Sequence, residues 1–240
     1  MVDHRREAAF LARAGAAAFL AAAFCAVFPW ALRFAAAAPA PKEVAAREAG
    51  SGEDEGSARA RRALGSLKAG ERLEAAEDIR RGKARLSRRD MEDAARKEAN
   101  PQVRYTLLQA LAEREGSAAE DALLFALQND PAMIVRAAAA QQLRRIAGGT
   151  KTVQALSQAL SQDKEAEVRR ACAFTLGFYP SEQGIAALER AAESPDTELR
   201  RQTAKALRMR PGASADRILK KLEKDKDPAV AGAAKRPEKR

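Results

Sequence analysis

The sequence predicts an all-α fold: an α-solenoid of five to six two-helix units, preceded by an N-terminal apolar leader helix and a disordered linker. Three observations carry this expectation. A segment recurs every 31 to 33 residues, as Val103-Arg104…Leu107-Leu108…Leu111, Val135-Arg136…Ala139-Ala140…Leu143, Val168-Arg169…Cys172-Ala173…Leu176 and Leu199-Arg200…Thr203-Ala204…Leu207. A fading copy starts at Val230, and a degenerate one, Arg72…Ala75-Ala76…Ile79, lies one period upstream. Fixed periods of this length mean stacked helical units, none of which can bury its apolar face alone. Between the copies run helical apolar stripes: Leu123, Leu124 and Leu127; Val153, Leu156 and Leu160; Ile185 and Leu188; Ile218, Leu219 and Leu222. Finally, the last residue of a stripe stands eight positions before the next Val in three units, at Leu127 to Val135, Leu160 to Val168 and Leu222 to Val230.

Residues 1–38 stand apart from the array. Arg5, Arg6 and Arg13 precede an uncharged run from Ala14 to Leu32, and Ala35 to Ala38 follow Arg33. A positive region, an apolar core and a small-residue exit form the layout of a secretory signal peptide. The rival reading is an uncleaved signal anchor, because the 14–32 run approaches the roughly 20 residues that span a bilayer. Both readings place the repeats outside the cytoplasm, in the periplasm or secreted, with membrane contact through residues 14–32 if the leader is retained. Residues 39–62 combine Pro, Gly, Ser, Ala and mixed charge and predict a flexible linker. The repeat domain is expected over 63–234, and residues 235–240 as a basic disordered tail.

Within the array the first helices are expected near 88–98, 117–128, 151–161, 182–192 and 214–223. The second helices are expected near 101–114, 131–147, 165–178, 195–210 and 228–234. Asn100-Pro101, Asp130-Pro131, Ser194-Pro195 and Asp227-Pro228 each place a capping residue before a Pro suited to the first helical position. Ser117…Glu120 has capping-box spacing. Gly148-Gly149 and Gly116 mark helix ends.

Val-Arg-x-x-Ala-Ala-x-x-Leu, preceded by an Asn/Asp-Pro pair or by an Asp five residues earlier, resembles the HEAT family, and in particular the short HEAT-like repeats named after phycobilisome lyases. The resemblance covers about residues 64–234. It weakens at the first and last units, where Glu71 replaces Val and Ala231 replaces Arg. It implies a right-handed solenoid of HEAT-like repeats that binds other proteins and lines its concave side with the second helices. It also implies that the Arg after each Val (Arg104, Arg136, Arg169, Arg200) forms a structural ladder with an acidic or polar side chain in the preceding turn.

At 100° per residue, offsets +2, +6 and +9 from each Val point away from the packed face. They select Tyr105, Gln109, Gln141, Arg144, Arg170, Phe174, Arg201, Lys205 and Arg208. On a concave side this row makes a basic groove with two aromatics, since Arg and Tyr are common interface anchors. The alternative is an ordinary set of solvated helix faces.

Charge points the same way. The chain carries 43 Lys+Arg against 33 Asp+Glu, a formal net charge of +10. Residues 131–160 contain four basic side chains and no acidic ones. Such a surplus suits an acidic partner. The only His is His4 and the only Trp is Trp30, both in the leader; Cys25 and Cys172 are the two cysteines. A repeat region with no His and one Cys holds no His-based metal site and no Ser-His or Cys-His pair. Gly148-Gly149-Thr150-Lys151 lacks the upstream glycine of a phosphate-binding loop. No catalytic residue, cofactor or metal is therefore assigned, and Cys172 is read as a small buried residue. The expected function is a non-catalytic protein-binding scaffold, exported or tethered outside the cytoplasm. The alternatives are nucleic-acid binding through the basic groove and a lyase-type enzyme subunit. The export signal and the interspersed acids disfavour the first, and no residues transfer for the second.

Overall fold

The computed structural model describes residues 54–236. The leader (1–38), residues 39–53 of the expected linker and residues 237–240 of the tail lie outside the described residues. Among the described residues there are twelve α-helices, one 3-10 turn and no strand. They form six two-helix units: α1 (Glu55–Leu64) with α2 (Ala69–Arg80), α3 (Arg88–Lys97) with α4 (Pro101–Glu115), and α5 (Glu120–Asn129) with α6 (Met133–Leu143). Then come α7 (Thr150–Gln162) with α8 (Ala166–Leu176), α9 (Glu182–Ala191) with α10 (Thr197–Arg208), and α11 (Ala213–Leu222) with α12 (Pro228–Ala234). The even-numbered helices pack against one another along the whole array, and the odd-numbered ones touch their equivalents less. The second helices are thus the closely packed inner layer.

The repeat motif is the packing register. Val103, Val135, Val168 and Val230 are fully buried, and so are Leu107, Ala139, Cys172 and Thr203 four positions after each repeat start. Leu111, Leu143, Leu176 and Leu207 complete the stripe. Each such Leu contributes about 2 kcal/mol by leaving water. One small residue at the fifth offset serves a second purpose. At Ala140 the buried Thr175 hydroxyl of the following unit donates to the backbone carbonyl at 2.9 Å. Burial raises the Cys172 thiol far above its ordinary range, consistent with a packing role.

The arginines tie consecutive units together. Arg104 donates through Nη1 to the Glu98 and Ala99 carbonyls of its own entry turn, at 3.1 and 2.9 Å. Its Nε and Nη2 grip both oxygens of Asp130, in the next unit's turn, at 2.8 and 2.7 Å. Arg136 repeats this with the Asp130 and Pro131 carbonyls and with Asp163. Arg200 does so with the Ser194 and Pro195 carbonyls and with Asp225. Arg72, in the degenerate first copy, holds the Ser66 and Leu67 carbonyls and Glu98. Each carboxylate also accepts from the backbone N–H two residues on, as Glu98 from Asn100 (2.7 Å) and Asp163 from Glu165 (2.9 Å). The expected partner direction is thereby corrected: the preceding turn supplies carbonyls, and the carboxylate comes from the following unit.

One rung differs. The carboxylate position five residues before Leu199 is Ser194, whose hydroxyl accepts only from Asp196 N–H, at 3.2 Å. Arg169 keeps its carbonyl contacts to Asp163 and Lys164 at 2.8 and 3.0 Å. The displaced carboxylate, Asp196, is gripped instead by Arg170 at 3.0 and 2.9 Å.

The far ends of the inner helices form a second seam. Eleven residues after the repeat start, Arg114 donates to the Ile79 and Ala84 carbonyls and Arg210 to those of Leu176 and Ser181. Tyr179 holds the same offset and bonds the Leu143 and Ile146 carbonyls. Burial pushes its phenol up to about 12, so it stays a donor at neutral pH. The Ile79, Leu143 and Leu176 carbonyls stand at helix C-termini, where carbonyls lack helical partners.

Several local expectations are corrected. Residues 55–62, assigned to the linker, belong to α1; Ser57 and Ala60 are buried, Asp54 caps the helix through Ser57 N–H, and Ser57 Oγ accepts from Arg85 N–H at 2.7 Å. Pro131 and Pro195 precede α6 and α10 rather than opening them, because Asp130 and Ser194 close the entry turn instead. Asn100-Pro101 and Asp227-Pro228 do cap and open their helices. No capping box forms at Ser117, where Gly116–Ala119 is a 3-10 turn entered through a positive φ at Gly116. In the expected tail, Arg236 is docked: its Nη2 donates to the Arg210 carbonyl at 2.6 Å and to Asp216 at 2.7 Å.

Three outcomes follow from these contacts. Arg136→Ala leaves Asp163 buried with its charge unpaired, and a cost of about 3 kcal/mol or more is expected in urea unfolding. Arg169→Ala, which removes carbonyl contacts alone, should cost less, and equal losses would deny the carboxylate its part. For pH, burial alone would raise Asp163 and Glu98, but their arginines and backbone amides outweigh it and hold both below the ordinary 3.8 and 4.5. Asp225, held chiefly by Arg200, is lowered as well. Carboxyls depressed in the folded state stabilise it above their unfolded pKa values, about 3.9 to 4.3, and lose that contribution as pH falls through the lower folded values. Thermal stability should thus hold from pH 7 to about 5 and fall steeply below about 4; a fall centred near 6 would contradict this. Finally, a Cβ at Gly177 would lie 2.8 Å from Ala206 Cα and would overlap Met209 Cε. Gly177→Ala should therefore destabilise by about 1–3 kcal/mol, read as a lowered urea midpoint.

Candidate functional site

The expected row lies on α4, α6, α8 and α10, the inner layer. Tyr105 and Gln109 are half-buried and joined, Gln109 Nε2 donating to the Tyr105 hydroxyl at 2.9 Å. Gln141 and Arg144 are exposed at the end of α6. Arg170 and Phe174 are half-buried on α8, as are Arg201 and Lys205 on α10, with Arg208 exposed at its end. Four of the nine, Gln141, Arg144, Arg170 and Phe174, come together on one cleft of about 260 Å³, with Glu167, Glu198 and Gln202 completing its wall. Tyr105, Gln109, Arg201, Lys205 and Arg208 lie outside that cleft.

The groove is not uniformly basic. Arg170 is spent on Asp196 and stands 3.7 Å from Glu167. Arg201 grips both Glu198 oxygens at 2.7 and 2.8 Å, and Gln202 Nε2 donates to the same carboxylate at 2.6 Å. Those contacts, the Arg201 guanidinium first, hold Glu198 below the usual carboxylate range, so it is ionised at neutral pH. Arg144 makes no ion pair among the described residues, whereas Arg208 reaches only the Ala233 carbonyl, at 3.4 Å. The expectation of a basic groove is corrected to a surface of mixed charge with unpaired cations at Arg144 and Arg208. The angular rule did not select these acids, because Glu167 and Glu198 stand just before their repeat starts, Val168 and Leu199.

Sequence reasoning also missed an apolar patch. Phe178 and Met209, each ten positions after its repeat start, are about two-fifths exposed. Phe178 packs edge-on against Phe174, with ring centroids 5.4 Å apart. The Met209 methyl covers Gly177, next to Phe178 in the chain. The same offset in earlier units holds Glu113 and Arg145, which pair with each other at 3.6 Å. That row therefore changes from charged to apolar midway along the array.

Elsewhere, a cleft of about 230 Å³ lies between the outer helices α3 and α5, with the Arg96 guanidinium 5.6 Å over the Phe125 ring. Among the described residues no three His, Cys, Asp or Glu side chains cluster to hold a metal ion. No helix among them is long and apolar enough to cross a membrane.

Comparison with known proteins agrees with this architecture. No curated protein sequence matches the chain. Among the solved structures that share the fold are two with similar lengths of chain matched. One is the YibA protein of E. coli, 19% identical with a TM-score of 0.53, covering 82% of this chain and 74% of that one. The other is the complex of CpcE and CpcF of phycocyanin lyase from Nostoc, 20% identical with a TM-score of 0.55, covering 78% of this chain and 77% of that one. The family model for HEAT repeats matches residues 89–163 and 153–236. With a two-helix repeat, a buried Val register and more than half of its length matched by that model, the chain belongs to the HEAT-repeat family.

Proposed function

We propose that this protein is a non-catalytic scaffold that binds a protein partner along the inner surface of its repeats. The observation that carries it is the cleft itself. Gln141, Arg144, Arg170 and Phe174, from successive inner helices, converge there with Glu198 and Gln202. Aromatic and Arg side chains beside amide donors are what protein interfaces concentrate. The carboxylates of Glu167 and Glu198 weigh against a nucleic-acid backbone, whose uniform negative charge they would repel. The CpcE–CpcF structure is a complex of a lyase, and its likeness to this chain supports the fold alone. Export, or a membrane tether outside the cytoplasm, belongs to the same proposal and rests on the charge and apolar pattern of residues 1–38.

The test compares two faces of one molecule. A photo-crosslinking amino acid is placed at Gln141 or Gln202 on the inner surface, and at exposed Gln158 on the outer helix α7. The full chain is then irradiated in its native host. A discrete protein adduct from Gln141 and Gln202, absent from Gln158, is expected. Adducts from Gln158 alone, or none from the inner positions, would overturn the proposal.

A further inference from the structure

The inner surface is not equally suited to binding along its length. In the first half, the row ten residues after each repeat start is closed by the Glu113–Arg145 pair. In the second half it is Phe178 and Met209, both about two-fifths exposed and joined through Phe174 and Gly177 into one apolar patch. One position earlier in the repeat stand Arg144, one unit before the patch, and Arg208, at its far side. Both are exposed, and neither has a carboxylate partner among the described residues. An exposed apolar patch bracketed by two unpaired guanidinium groups is complementary to a ligand of defined chemistry. Phe and Met supply contact area, and the arginines supply charge-assisted hydrogen bonds to carboxylates.

We propose that this half of the surface holds an extended peptide segment of the partner, with an aromatic or large aliphatic side chain flanked on both sides by carboxylates. The apolar side chain would sit on Phe174, Phe178 and Met209, and the two carboxylates on Arg144 and Arg208. Neighbouring inner helices pack about 8–10 Å apart, so the two arginines, two units apart, are separated by about 20 Å. An extended chain advances about 3.3 Å per residue, which puts the carboxylates about six residues apart. The Glu198 carboxylate on the same surface would repel a third acidic residue near the anchor, so the central part of the segment should be uncharged. This inference rests on the inner surface being the binding face, and it adds the partner's chemistry.

The probe is a fluorescein-labelled peptide, Glu-Ser-Ser-Phe-Ser-Ser-Glu, titrated with the full chain and followed by anisotropy. Peptides with Lys in place of both Glu, and with Ala in place of Phe, serve as controls. The acid-flanked peptide is expected to bind at least tenfold more tightly than either control. Arg144→Glu with Arg208→Glu should reverse the preference between the Glu and Lys peptides. Phe178→Ser should weaken the Glu peptide at least tenfold, with unchanged circular-dichroism melting as the check on folding. Equal binding of the Glu and Lys peptides, indifference to the Arg pair, or binding by none of the peptides would overturn the inference. Adducts from Gln141 and Gln202 would in that case still stand, so the partner chemistry can fail while the binding face survives. Absence of both peptide binding and inner-face adducts would remove the two together.

Discussion

The Arg–carboxylate ladder is the constraint on which the array depends. At Arg72, Arg104, Arg136 and Arg200 the guanidinium has two jobs that only its forked geometry can combine. One edge satisfies carbonyls of its own entry turn, and the other holds a carboxylate that shapes the entry turn of the next unit. Because Asp130 and Asp163 each offer a carboxylate to one arginine and a backbone carbonyl to the next, the rungs are chained rather than separate. In a solenoid, where a unit contacts only its neighbours, such a chain sets the relative position of consecutive helices. The apolar Val and Leu register gives most of the stabilisation. The ladder makes one stacking geometry preferable to slipped ones.

The departure at Ser194 connects this scaffold to the binding surface. With no carboxylate in the usual place, Arg170 rather than Arg169 takes Asp196. Arg170 stands on the inner face, and its guanidinium becomes part of the cleft wall. Structure and candidate function thus share a residue there, and a substitution of Arg170 would disturb both. The residues that can report on binding alone are the ones the ladder does not use: Arg144, Phe178, Lys205 and Arg208.

Much of the fold was legible because it depends on residues that recur. An apolar start, the Arg, a buried pair at the fourth and fifth offsets and the Leu appear at one spacing in four units, and their burial follows that spacing. What recurrence could not show was direction. An Arg and an Asp that both repeat can pair within a unit or between units, and the sequence is equally periodic in either case. Helix α1 was missed for a different reason. It buries Ser57 and Ala60, residues too small to leave an apolar stripe, among charges and glycines that read as linker. The nine-residue row was legible as a face, since rotation about a helix axis follows from spacing. Its electrostatics were not, because Glu198 becomes a partner of Arg201 only once side chains are placed. Phe178 and Met209 lie at or beyond helix ends, where the angular rule no longer applies.

The Arg136–Asp163 double-mutant cycle tests the central claim most directly. Stability is measured by urea unfolding for the parent chain, the two single alanine variants and the double variant. If the rung couples neighbouring units, the two losses will fall short of additivity by roughly 2 kcal/mol or more, since either change alone already strands a buried partner. Losses that add to within about 0.5 kcal/mol would mean that the two side chains act independently and that apolar packing alone sets the stacking.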